Sequence, residues 1–113
     1  MKKILLVDDN ETFRQLLEES LKHAGYEVQS AANGVAALRI YRQETFDLVI
    51  TDLVMPEKEG LETIMELRRL QPEIKILAIS GTAYLPLASK LGATQTLSKP
   101  FTPSQLIQEI EKL

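Results

Sequence analysis

Five polar residues follow short strand-like runs in this chain: Asp8 and Asp9 after Ile4–Val7, Asp52 after Leu48–Thr51, Ser80 after Ile74–Ile79, and Lys99 after Gln95–Ser98. Three carboxylates, a hydroxyl and an ammonium are the parts phosphoryl chemistry needs. A carboxylate can act as nucleophile, a lysine as a compensating point charge, and a hydroxyl as a hydrogen-bond donor to a phosphoryl oxygen. Carboxylates brought together also need a cation. An all-oxygen donor set with no histidine or cysteine nearby favours a hard ion, and Mg²⁺ is typically held by one or two carboxylates with waters and a phosphate oxygen. Each residue alone has a plainer reading: Asp9 or Asn10 as a helix N-cap, Asp52 in a turn, Ser80 opening a turn before Gly81, Lys99 as a surface lysine. Those readings leave the joint placement unexplained.

The elements that would position these groups alternate in type. Strand-length runs at Lys3–Val7, Glu27–Ala31, Leu48–Thr51, Ile74–Ile79 and Gln95–Ser98 are separated by segments of helical period, which is the pattern of βαβ units and a parallel sheet. The first, third and fourth runs are almost wholly apolar, as central strands buried on both faces should be. Phe13, Leu16, Leu17 and Leu21 recur at helical spacing, as do Ala37, Leu38 and Tyr41, and Leu61, Ile64, Met65 and Leu67; all are expected to be core. Gly25 and Gly92 read as residues just past helix ends, and Thr102, Pro103 and Gln105 as N-cap, N1 and N3 of the last helix. Right-handed crossovers with strand order 2-1-3-4-5 would set the first and third strands side by side and gather the three carboxylates at the rim where such sheets bind ligands.

Composition narrows the function further. A chain of 113 residues, 44% hydrophobic and 26% charged, fits one soluble globular domain, 1–113. No effector domain is expected beside it. The absence of cysteine excludes disulfides, thiolate metal sites and cysteine nucleophiles, and agrees with a cytoplasmic location. The apolar run after Met1-Lys2-Lys3 stops at Asp8, too early for a signal peptide, and no stretch could span a bilayer. With a net charge of −3 and scattered Lys and Arg, the chain offers no basic stripe for nucleic acid. The single histidine, His23, is expected to be an exposed structural residue near the end of the first helix.

The chain resembles the bacterial two-component response-regulator receiver family over essentially its whole length. The resemblance is carried by Ile4-Leu5-Leu6-Val7-Asp8-Asp9-Asn10, by Asp47-Leu48-Val49-Ile50-Thr51-Asp52-Leu53-Val54-Met55-Pro56 with Gly60, by Ser80-Gly81 and Gly92-Ala93, and by Lys99-Pro100-Phe101. It implies a flavodoxin-like doubly wound α/β fold. It further implies that Asp8 and Asp9 hold Mg²⁺ directly or through water, that Asp52 is both metal ligand and phosphoacceptor, and that the Val54 carbonyl completes the metal site. Lys99 would pair with the phosphoryl group, Ser80 would move to bond it, and the Lys99–Pro100 peptide would be cis. The implied function is a phosphorylation-controlled signalling switch that assists its own phosphorylation and dephosphorylation without being an enzyme of turnover. Its implied partners are a sensor histidine kinase or phosphotransfer protein and a downstream protein target, with the chain a monomer or weak homodimer.

Two departures from the family pattern stand out. Thr96 occupies the place, three residues before the lysine, where the family usually carries an aromatic ring. The stretch from Ser80 to Gly92 is also about one helical turn short, and Pro86 within it favours a stubby fourth helix starting near Leu85. Three rival functions fit the residues less well. A phosphate-independent interaction module would not need the acidic pair, Asp52, Ser80 and Lys99 together. A carboxylate-nucleophile phosphatase would normally carry a second acid where Val54 stands. A flavin-phosphate binder would be repelled by Asp8-Asp9-Asn10.

Overall fold

The computed structural model describes residues 2–53, 59–81 and 85–113, with residues 59 and 85 described for their backbone alone. Val54, Pro56 and Thr82 lie outside the described residues. The elements in chain order are β1 (Lys3–Val7), α1 (Glu11–His23), β2 (Glu27–Ala31), α2 (Gly34–Gln43), β3 (Leu48–Asp52), α3 (Glu59–Leu70), β4 (Lys75–Ser80), α4 (Leu85–Leu91), β5 (Gln95–Ser98) and α5 (Pro103–Glu111). The five strands form one parallel sheet in the order β2-β1-β3-β4-β5.

Helices cover both faces, so the central strands need apolar side chains at every position rather than at alternate ones. Residues 4–7 of β1, all of β3 and all but the first residue of β4 are buried. Their side chains feed two cores. On one face Ile4, Leu6, Ile50, Leu77 and Ile79 pack with Leu17 and Leu21 of α1 and with Leu106 and Ile110 of α5. On the other, Leu5, Val7, Val49, Ile76 and Ala78 pack with Ala37 and Tyr41 of α2, Leu61, Ile64 and Leu67 of α3, and Ala88 of α4. The two-residue period of each strand divides its side chains between these cores.

Local signals set the helix ends. Asn10 and Asn33 cap α1 and α2 by accepting from the backbone N–H of Phe13 and Ala36, at 3.0 and 2.8 Å. Thr102 and Gln105 form a reciprocal capping box at the start of α5, with Pro103 behind the cap. Gly25 and Gly92, past the ends of α1 and α4, take φ of 101° and 120°, which other residues adopt only with strain.

Some expectations need correction. Helical spacing predicts Leu16 and Met65 as core, but they are 53% and 49% exposed, because each lies at the edge of its helix's apolar stripe rather than over the sheet. Strands β3 and β4 reach one residue further than their apolar runs, and β4 begins at Lys75 instead of Ile74. Asp52 pairs with Ile79 and Ser80 with Ser98, so both polar residues belong to the ladder. The fourth helix is a seven-residue helix starting at Leu85, as the position of Pro86 anticipated.

Candidate functional site

All the polar groups singled out by sequence lie at the carboxyl ends of β1, β3, β4 and β5. Because β1 and β3 are neighbours, Asp8 follows Val7 on one strand while Val7 pairs with Thr51, the residue before Asp52, on the other. One carboxylate oxygen from each of Asp8, Asp9 and Asp52 lies within 4.8 Å of the others. Asp8 and Asp52 are buried and Asp9 is exposed, so two carboxylates form the floor of the cluster and one its rim.

Lys99 crosses from β5 to this floor. Its Nζ lies 2.6 Å from Asp52 Oδ2, a charge-assisted hydrogen bond. The Lys99 backbone is tied to the same rim, since its N–H donates to the Ser80 carbonyl at 2.8 Å, and the following Lys99–Pro100 peptide is cis, as expected. Ser80 is fully buried, and its Oγ has no hydrogen-bond partner among the described residues. A buried hydroxyl normally finds a partner, so this one is conspicuous beside a carboxylate cluster.

The electrostatics are those of a partly compensated acidic site. Burial pushes the Asp8 carboxyl up from its ordinary 3.8 to about 6, and repulsion from Asp52 and Asp9 adds to the effect. The Asn10 N–H, donating to Asp8 Oδ1 at 2.9 Å, and the charge of Lys99 pull the other way. Among the described residues, one lysine against three carboxylates leaves an excess of negative charge. These all-oxygen donors could hold a hard divalent ion.

Sequence reading missed several supporting residues. Arg14 donates from Nη1 to the Asp8 carbonyl at 2.8 Å, fixing the turn out of β1. Phe13, expected only as core, is half-buried with its ring centroid 5.0 Å from Lys99 Nζ. Gly60 packs so closely on the end of β3 that a Cβ there would lie 2.3 Å from the Asp52 carbonyl oxygen; the motif contained this glycine but not its reason. An open cleft of about 280 Å³ beside the cluster is lined by Asn10, Phe13, Lys99, Pro100 and Phe101. A larger depression of about 420 Å³ lies at the opposite rim, near Lys3 and Glu44, and touches none of these groups. His23 is exposed at the far end of α1.

Residues 4–111 match the sequence profile of the response regulator receiver domain. The chain belongs to this family. The receiver domain is 39% identical to the response regulator receiver protein CpdR of Brucella abortus, over 100% of this chain and 97% of that protein. It is 34% identical to the chemotaxis protein CheY of Thermotoga maritima, over 99% and 97%. Among solved structures, the chemotaxis protein CheY4 of Vibrio cholerae superposes with a TM-score of 0.92 at 34% identity, covering 99% of this chain and 98% of that one. The response regulator TrrA of Thermotoga maritima, in complex with Mg²⁺-BeF, gives 0.91 at 37% identity with the same coverages. The receiver domain therefore works in two-component phosphorylation signalling as a phosphoacceptor rather than as an enzyme of turnover. Among its described residues no helix is long and apolar enough to cross a membrane.

Proposed function

We propose that Asp52 accepts a phosphoryl group from the phosphohistidine of a sensor kinase or phosphotransfer protein, in a Mg²⁺-dependent reaction that changes affinity for a downstream protein. The observation that carries this reading is the 2.6 Å contact of Lys99 Nζ with Asp52 Oδ2 inside the cluster formed with Asp8 and Asp9. In the transfer the P–N bond to the donor imidazole breaks, a P–O bond to an Asp52 oxygen forms, and the imidazole nitrogen takes the leaving electron pair. Asp8, Asp9 and Asp52, with the Val54 carbonyl implied by the family motif, would hold the ion. Bound Mg²⁺ supplies charge neutralisation for the phosphoryl oxygens as they approach a site already crowded with carboxylates.

The protein groups have separate tasks in this scheme. Lys99 compensates phosphoryl charge as a mobile ammonium on a flexible stem. Ser80 supplies the hydroxyl that hydrogen-bonds a phosphoryl oxygen, a partner its Oγ does not have among the described residues at rest. The likeness to TrrA, which was solved in complex with Mg²⁺-BeF, supports a metal-dependent reading of this chain. The receiver domain, 1–113, is proposed to act as a monomer or weak homodimer.

The test is intact-mass measurement after incubation with Mg²⁺ and a small acyl phosphate. One added phosphoryl group is expected, lost with chelator and in Asp52→Asn. An undiminished mass shift in Asp52→Asn would overturn the assignment of the acceptor.

A further inference from the structure

Among the described residues the Lys99 ammonium contacts the Asp52 carboxylate on one side. On the other side lies the Phe13 ring, with its centroid 5.0 Å from Nζ. That ring is braced in turn. Phe101 meets it edge to face, centroids 5.8 Å apart at 69°, and the Phe13 backbone is fixed at the start of α1 by its N–H bond to Asn10 Oδ1. One face of the pair packs towards the α1–α5 core, while the open cleft of about 280 Å³ borders Phe13, Lys99 and Phe101. The ring therefore lies where the core ends and the site begins.

We propose that Phe13 is a positioning residue for phosphoryl transfer, its ring holding the Lys99 ammonium over the phosphoacceptor. This rests on the reading of Asp52 as acceptor and Lys99 as its charge partner. A lysine head on a four-carbon stem has many rotamers, and at 36% side-chain exposure Lys99 is open enough to use them. The contact with Asp52 holds it at rest, but an incoming cation and phosphoryl group compete for that carboxylate. A ring face attracts a cation through its quadrupole without consuming one of the ammonium's hydrogen bonds. Lys99 can thus exchange Asp52 for a phosphoryl oxygen while its position over the site is kept. A leucine would fill the same space against the core but would have no such attraction.

The experiment measures the rate of acyl-phosphate phosphorylation in Phe13→Leu, Phe13→Met and Phe13→Tyr, each also in a Lys99→Ala background, with Mg²⁺ affinity followed separately. Phe13→Leu and Phe13→Met are expected to slow the reaction by about fivefold with Mg²⁺ affinity unchanged, and Phe13→Tyr, which keeps the ring, to remain within about twofold of the parent. In the Lys99→Ala background the same substitutions should have no further effect, because the ring acts through the lysine. The ring-current shift of the Lys99 ε-methylene protons should be present in the parent and Phe13→Tyr and absent in Phe13→Leu. Equal rates in Phe13→Leu and parent, or an equal loss with and without Lys99, would overturn the proposal. Phosphorylation of Asp52→Asn at the parental rate would instead overturn the underlying site reading, so the two failures are distinguishable.

Discussion

Gly60, in the first turn of α3, lies against the phosphoacceptor strand so closely that a Cβ would stand 2.3 Å from the Asp52 carbonyl oxygen and 2.7 Å from the Leu53 Cα. Both obstacles are backbone, so neither can rotate away. The absence of a side chain lets α3 start directly beneath the end of β3. Gly60→Ala is therefore expected to destabilise the fold by about 2 kcal/mol or more and to slow phosphorylation of the remaining folded protein. Denaturant unfolding and the mass-shift assay measure the two effects. A fully stable and active Gly60→Ala protein would show that the contact relaxes freely.

The raised pKa of Asp8 makes stability depend on pH in a stated direction. Between its ordinary 3.8 and about 6 the folded state binds this proton more tightly than the unfolded state does, so this group's contribution falls as pH rises through that window. The loss is at most about 3 kcal/mol, from roughly 1.4 kcal/mol per unit. Asp8→Asn should remove it. Melting curves from pH 4 to 7 without divalent ion are expected to show the mutant gaining on the parent as pH rises. Mg²⁺ competes with the same proton, so its affinity for the parent should fall as pH drops through about 6. A mutant no more stable than the parent at pH 7 would mean that burial of Asp8 is not costly.

Ser80 presents the reverse case, a polar group with nothing to lose at rest. Its Oγ is buried without a partner among the described residues, and an unsatisfied buried hydroxyl costs about 1–3 kcal/mol. Ser80→Ala should therefore leave the unphosphorylated protein as stable or up to about 1 kcal/mol more stable. The phosphorylated form should lose a hydrogen bond and show a weaker structural response. Unfolding free energies measured before and after acyl-phosphate treatment separate the two states. Destabilisation of the unphosphorylated mutant by 1 kcal/mol or more would show that the hydroxyl already has a use at rest.

How much of this was legible in the sequence depended on the range of the cause. The central strands could be read because double burial leaves a continuous apolar run, while β2 and β5, only partly buried and with several polar residues, were legible from their place in the strand–helix alternation. Where a strand end is polar the run stops early, and only the ladder pairing of Ser80 with Ser98 shows that β4 continues. Helical spacing placed Leu17 and Leu21 correctly but also nominated Leu16, because periodicity gives the stripe and not the width of sheet beneath it. The gathering of Asp8, Asp9, Asp52 and Lys99 was legible because topology alone carries strand ends to one rim. The contacts of Phe13 with Lys99 and of Arg68 with Gly92 depend on side-chain reach across distant segments, and no local pattern encodes them.

Arg68, in the last turn of α3, ties three segments of backbone together. Its Nε lies 3.2 Å from the Gly92 carbonyl oxygen, Nη2 bonds the same oxygen, and Nη1 reaches the carbonyls of Pro72, at 2.8 Å, and Ile74. One guanidinium thus joins the end of α3, the start of β4 and the turn after α4. That turn is otherwise held by few bonds, among them Ala93 N–H to the Ala88 carbonyl and Thr94 N–H to the Ile76 carbonyl. With only seven residues, α4 has little packing of its own to hold it in place. Arg68→Lys keeps the charge but loses the planar fork that serves three carbonyls at once. A loss of about 2 kcal/mol is expected, since hydrogen bonds from a charged donor are replaced by a single ammonium contact. The loss should be local before it is global: amide exchange at Ala93 and Thr94 should accelerate more than at Leu5 or Val49 in the central strands. Uniform acceleration across the sheet would mean that Arg68 supports the whole fold rather than the end of α4.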